Sequence, residues 1–127
     1  MATSVEEVVV QKLASPVSEI AQRAAANIAF KLQSGIVESG TLLERTPILI
    51  NLLTALRQND DSLPFLRLLQ TLVYTEPVRV KGQLLALDAS RVIQANCLNN
   101  TSKEVKDLAR DICSQLLTHS QVAGQSL

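Results

Sequence analysis

Tryptophan is absent, and one tyrosine and two phenylalanines are the only aromatic residues in 127. Binding of single-stranded nucleic acid by base stacking would have only Phe30, Phe65 and Tyr74 to use, and a strand-built core normally carries more aromatic and β-branched alternation. Net charge is also missing. Twelve Lys and Arg balance twelve Asp and Glu, and both signs are scattered along the chain. A duplex-binding protein needs clustered cations to displace counterions, so nucleic acid is disfavoured as a partner. Cys97, Cys113 and His119 are the only cysteines and histidine, whereas a structural zinc site takes about four such ligands. No metal and no other cofactor is expected. One cysteine pair does not make a disulfide scaffold, and both are expected as reduced thiols in a cytosolic protein. Gly35, Gly40, Gly82 and Gly124 are isolated, which leaves no phosphate-cradling loop. The longest apolar-rich run, Pro47 to Leu56, is too short to cross a bilayer. The opening Met-Ala-Thr-Ser-Val-Glu-Glu lacks a basic region followed by an apolar core, so it is not read as a secretory signal. Without one, the overlapping sequons at Asn99 and Asn100 read as a loop and helix cap.

The residues that carry chemistry elsewhere have structural explanations here. His119 falls in the last turn of a helical pattern, where a cation complements the helix dipole. Cys97 and Cys113 lie on or near apolar faces, where thiols act as small hydrophobes. Asp60-Asp61 precede Ser62-Leu63 as a helix-start turn rather than a metal site. Ser15-Pro16 and Thr46-Pro47 match the minimal pattern of proline-directed phosphorylation, but also the pairing of a capping hydroxyl with proline in the first helical position. No catalytic residues, no small-molecule substrate and no enzymatic activity are expected.

The apolar fraction is 46%, and Leu, Ala, Val and Ile supply it. Such aliphatic, alanine-rich sequences suit closely packed helices. One domain of this length buries roughly two-thirds of its unfolded surface. The periodicity predicts helices over Val5–Leu13, with a Ser4/Glu7 capping box, and from the Ser15-Pro16 start to a Ser34-Gly35 terminator. Val17, Ile20, Ala21, Ala24, Ala25, Ile28 and Leu32 form one face of the latter. At most a helical turn is expected over Ser39–Arg45. A cap-and-proline start at Thr46-Pro47 opens a helix to Gln58, and Asn59–Ser62 turns into another over Leu63–Tyr74. These two are apolar nearly all round and should be central. Pro77–Leu85, a helix capped by Asp88 or Ser90 and running to Cys97 or Leu98, and one opened by a Thr101/Glu104 capping box complete the chain. The last buries Val105, Leu108, Ala109, Ile112 and Leu116. Residues 1–119 are read as one domain and 120–127 as a disordered tail. The core should centre on Ile28, Leu49, Leu53, Leu66 and Leu69. Ser15-Pro16, Thr46-Pro47 and Glu76-Pro77 recur at roughly 31 residues, which suggests stacked helical hairpins. The expected fold is an all-α armadillo/HEAT-like α-solenoid fragment of about six to eight helices.

Lys12-Leu13, Glu19-Ile20, Arg23-Ala24, Lys31-Leu32, Gly35-Ile36 and Leu52-Leu53 together resemble the N-terminal armadillo-like domain of the rotatin family. The family's Trp-Phe pair after Leu-Leu is replaced by Thr54-Ala55-Leu56, and its second basic position is Gln22. The resemblance implies a non-catalytic protein–protein interaction module of a large centriolar and basal-body scaffold, acting in centriole assembly or elongation and cilium formation. It implies centriolar protein partners in the cytoplasm, and no membrane or small molecule. The alternative is an unrelated armadillo/HEAT-like adaptor that binds peptides or trafficking partners. Gln22, Arg23 and Lys31, opposite Ile20, Ala24 and Ile28, are the candidate partner-binding residues.

Overall fold

A computed structural model describes residues 5–97 and 101–125, with side chains from 6 to 97 and from 101 to 118. The Ser4 half of the first capping box, Leu98, the Asn99 and Asn100 sequon residues and the His119 side chain lie outside the described residues. The helices are α1 (Val5–Lys12), α2 (Ser18–Gln33), α3 (Ser39–Arg45), α4 (Ile48–Gln58), α5 (Leu63–Thr75), α6 (Pro77–Ala86), α7 (Ala89–Cys97) and α8 (Lys103–Gln125). There is no strand among the described residues. α8 runs to Gln125, so residues 120–125 of the expected tail carry helical backbone.

Several helix starts differ from the sequence reading, because side chains expected to cap do not. α2 begins at Ser18 rather than at Pro16. The Val17 amide donates to Ser15 Oγ at 3.1 Å, which forms a turn ahead of the helix rather than a cap on it. Thr46 does not cap α4; its hydroxyl donates to the Leu42 carbonyl at 2.5 Å. It thereby closes α3, which is a full seven-residue helix rather than a single turn. Ser62 makes no cap bond on α5, and Asp61 Oδ1 accepts the Leu63 amide instead, at 3.2 Å. At α8 the cap is Ser102, not Thr101, with Ser102 Oγ accepting from the Val105 amide at 3.4 Å. Glu104 reaches Arg67 on α5 rather than back to the cap. The α2 terminator forms as expected. Gly35 has φ +74°, its amide donates to the Leu32 carbonyl, and that of Ile36 donates to Lys31 (3.3 and 3.0 Å). These two bonds are a Schellman pair, and the left-handed residue between them suits glycine.

Four of the packed helix pairs are three helices apart. α1 lies against α4 and α4 against α7; α2 lies against α5 and α5 against α8. Asn51 Nδ2 donates to the Val10 carbonyl at 2.9 Å, tying α4 to α1. With its amide oriented to satisfy both atoms, Gln58, about two turns further along α4, donates to the carbonyls of Ala14 and Ser15, each at 3.2 Å. α3 meets the α5–α6 corner, where Thr75 Oγ1 donates to Ser39 Oγ (3.0 Å) and Arg79 to the Gly40 carbonyl (3.4 Å). Helices three apart begin 40 to 45 residues apart: Val5 and Ile48, Ile48 and Ala89, Ser18 and Leu63, Leu63 and Lys103. The proline pairs do not follow this period, because they precede or open α2, α4 and α6, every second helix.

α5 is the hub, packed on α2, α4, α6 and α8. Phe65, Leu66, Leu68, Leu69 and Leu72 are wholly buried on it. All five expected core residues, Ile28, Leu49, Leu53, Leu66 and Leu69, are buried. On α2, Ala21, Ala24 and Ala25 are buried with Ile28, whereas Val17 and Ile20 are exposed and Leu32 is only half-buried. The small residues carry the contact. On α8, Val105, Ala109, Ile112 and Leu116 are buried and Leu108 packs against the core at its edge.

Asp88, between α6 and α7, has φ +55°, a conformation that glycine adopts without the steric cost a Cβ imposes. Its carboxylate pairs with Arg91 at 3.1 Å on an exposed surface, where such pairs contribute little. Asp88→Gly is therefore expected to change stability by no more than about 1 kcal/mol, while Asp88→Val should cost about 1–2 kcal/mol. Chemical denaturation of the two variants reads the difference. Equal stability would show that residue 88 does not hold this conformation.

Candidate partner surface

The three residues singled out on α2 do not converge. Gln22 Nε2 donates to Ser18 Oγ at 3.1 Å and Arg23 pairs with Glu19 at 2.6 Å, each within its own helix. Lys31, half-buried, lines a narrow crevice with Glu6, Val9, Asn27, Val37 and Leu42, on the side toward α1 and α3. Gln22, half-buried, and Arg23, exposed, thus bond within α2, while Lys31 faces the crevice toward α1 and α3.

What the fold does bring together lies on α5 and α8. Between its two ends, α5 reaches solvent along a narrow strip: Arg67 and Tyr74 are exposed, and Gln70 and Thr71 are half-buried, while Leu63 and Pro64 at its start are half-buried and Thr75 at its end is exposed. Positions 67, 70, 71 and 74 are spaced by three and four, which is one line along a helix. The facing line of α8 is Glu104, Asp111 and Gln115. Arg67 is ion-paired with Glu104. Asp111 Oδ2 accepts from Gln70 Nε2 at 2.8 Å, from the Tyr74 hydroxyl at 3.0 Å and from Gln115 Nε2 at 3.2 Å. The pairs 67–104 and 74–111 advance in the same direction, so α5 and α8 run parallel here. An open groove of about 650 Å³ follows their junction, lined by Arg67, Gln70, Lys103, Glu104, Asp107 and Leu108.

The electrostatics of this strip are unusual in one respect. Asp111 is held by three neutral donors, and no ion pair to it is formed among the described residues. Its hydrogen bond with the Tyr74 phenol, with minor help from desolvation and the carboxylate's charge, pushes that phenol above its ordinary 10.0. Tyr74 therefore remains a neutral donor at physiological pH. The strip escapes sequence reasoning because α5 reads as apolar nearly all round. Its signal is the spacing of Arg67, Gln70, Thr71 and Tyr74, the one polar line on that helix.

The cysteines are free thiols, Cys97 buried and Cys113 half-buried. Burial pushes both above their ordinary 9.0; the Cys97 charge adds to the rise at Cys113, while the hydroxyls of Ser62 and Ser90 oppose it at Cys97 and Cys113 respectively. A thiol raised in the folded state favours folding fully below its unfolded value and loses that contribution as pH rises through the folded one. Stability should accordingly decline above about pH 9, with less decline in a Cys97→Ala, Cys113→Ala variant. Denaturation across that pH range is the check; identical slopes would remove the thiols from the account.

Among the described residues no three His, Cys, Asp or Glu side chains are grouped to hold a metal ion, and no helix is long and apolar enough to cross a membrane. No family model matches the chain, and neither a curated protein nor a solved structure is significantly similar to it. The surface itself must carry the functional argument.

Proposed function

We propose that the chain is a non-catalytic protein-binding module built as a short armadillo/HEAT-like solenoid. The observation that carries this reading is the offset of 40 to 45 residues between helices that pack as neighbours. Armadillo and HEAT repeats have about that length, with two or three helices each. In such a fold each unit buries its apolar face on the next and leaves long, continuous side surfaces, which suit partners rather than substrates. The rotatin resemblance in Lys12 to Leu53 supplies the setting: part of a large cytoplasmic scaffold of centrioles and basal bodies, with centriolar proteins as partners. Removing residues 1–127 from the full-length protein is then expected to impair centriole length and ciliation. Normal centrioles and cilia after that deletion would sink the centriolar role.

The second reading, an adaptor for peptides or trafficking partners, draws on the same fold and on the open α5–α8 groove. Under it the deletion leaves centrioles intact and instead alters the distribution of a transported cargo.

A further inference from the structure

We infer that Ser15 is a site of phosphorylation by a proline-directed protein kinase, and that the fold withholds the matching motif at Thr46. The inference goes beyond the protein-binding reading and does not depend on it.

Ser15-Pro16 and Thr46-Pro47 each set a hydroxyl before proline, whereas the other prolines follow Leu63 and Glu76. A kinase of this class needs an accessible segment and a hydroxyl able to give its proton to the enzyme's catalytic aspartate. Conformation does not separate the two motifs, because a residue before proline is biased toward extended backbone; Thr46 has φ −133° and ψ 153°. Their surroundings do. Thr46 is only 9% exposed and gives its hydroxyl proton to the Leu42 carbonyl. It lies in the short joint between α3 and α4, flanked by the buried Leu42, Leu43, Ile48 and Leu49. A kinase reaches it only after that joint opens.

Ser15 belongs to the longer connection 13–17 between α1 and α2. It is half-buried, its Oγ accepts from the Val17 amide at 3.1 Å, and every residue from Pro16 to Ile20 is exposed. Val17 continues the extended path, with φ −85° and ψ 109°. The wholly buried Leu13 and the Gln58 bonds to the Ala14 and Ser15 carbonyls hold this connection from its amino-terminal side and leave Pro16 onward clear. In the reaction a bond forms between Ser15 Oγ and the γ-phosphorus of ATP, the bond from that phosphorus to the ADP oxygen breaks, and the hydroxyl proton passes to the kinase's carboxylate. The charged ester then lies just ahead of α2, whose N-cap residue Val17 supplies no side-chain cap. Negative charge is favoured at that end of a helix. On Thr46 the same ester would carry its charge into a buried joint, which desolvation opposes.

The test incubates the folded chain with a purified proline-directed kinase and ATP, beside capped peptides covering residues 11–20 and 42–51, and locates the phosphate by mass-spectrometric fragmentation. Ser15 of the folded chain is expected to react within about tenfold of the rate of its peptide, while Thr46 reacts at least about a hundredfold more slowly than its own, since only local opening exposes it. Ser15→Ala should lose the modification. No phosphate on Ser15 of the folded chain overturns the assignment, as does uptake unchanged in Ser15→Ala or modification of Thr46 as fast as of its peptide. Those results leave the protein-binding reading standing, since that reading is judged by the deletion experiment.

Discussion

Phe65→Ala is expected to destabilise the chain by about 3–5 kcal/mol, the range for removing a large buried aromatic side chain. Phe65 is fully buried on α5, and α5 is packed on α2, α4, α6 and α8. A cavity there is walled by several rigid helices, which limits how far the site can collapse. Phe30→Ala is the internal control. It truncates the same side chain type on an exposed position and should change stability by no more than about 0.5 kcal/mol. Urea denaturation of both variants measures the contrast. If the two losses were similar, α5 would not be the hub of the fold.

Ala25→Leu is the second large effect, with an expected cost of about 1–3 kcal/mol from overpacking. Ala25 is buried on α2, between the packed neighbours α1 and α5. The alanines at 21, 24 and 25 let those helices approach, and a longer side chain would force them apart. Ala26, next in sequence, is exposed, so Ala26→Leu should be close to neutral. Thermal melts of the pair separate packing from helix propensity, because the two substitutions are chemically identical. Equal melting temperatures would mean that α2 is not seated through its small residues.

The all-helical class and most helix positions are legible in the sequence because they rest on period and punctuation. The run from Leu63 to Val73 repeats its leucines at helical spacing, and Gly35 is the kind of residue a left-handed terminator requires. The cap residues are less legible for a physical reason. Ser15, Thr46 and Ser62 have the right side chains to cap, but Thr46 is drawn to the Leu42 carbonyl, Ser15 to a turn of its own, and Ser62 is buried with no hydrogen-bond partner. Which nearby group a hydroxyl takes is decided by the backbone path around it and not by residue type. The offset between packed helices is hidden for another reason: the prolines punctuate every second helix, while four of the packed pairs are three helices apart. The polar strip between α5 and α8 is the least legible element. Asp111 looks like any solvated acid of α8 until Gln70 and Tyr74, 41 and 37 residues earlier, are brought against it. Gln22, Arg23 and Lys31 stand out in the sequence because α2 is the best-patterned helix, and such patterning identifies a helix's buried side without assigning a role to its exposed one.

The most direct test of the account is the location of the tagged chain in dividing cells, compared with that of the tag alone. The account predicts that the tagged chain concentrates at centrioles and that the tag alone does not. A chain that distributes as the tag alone does would contradict it.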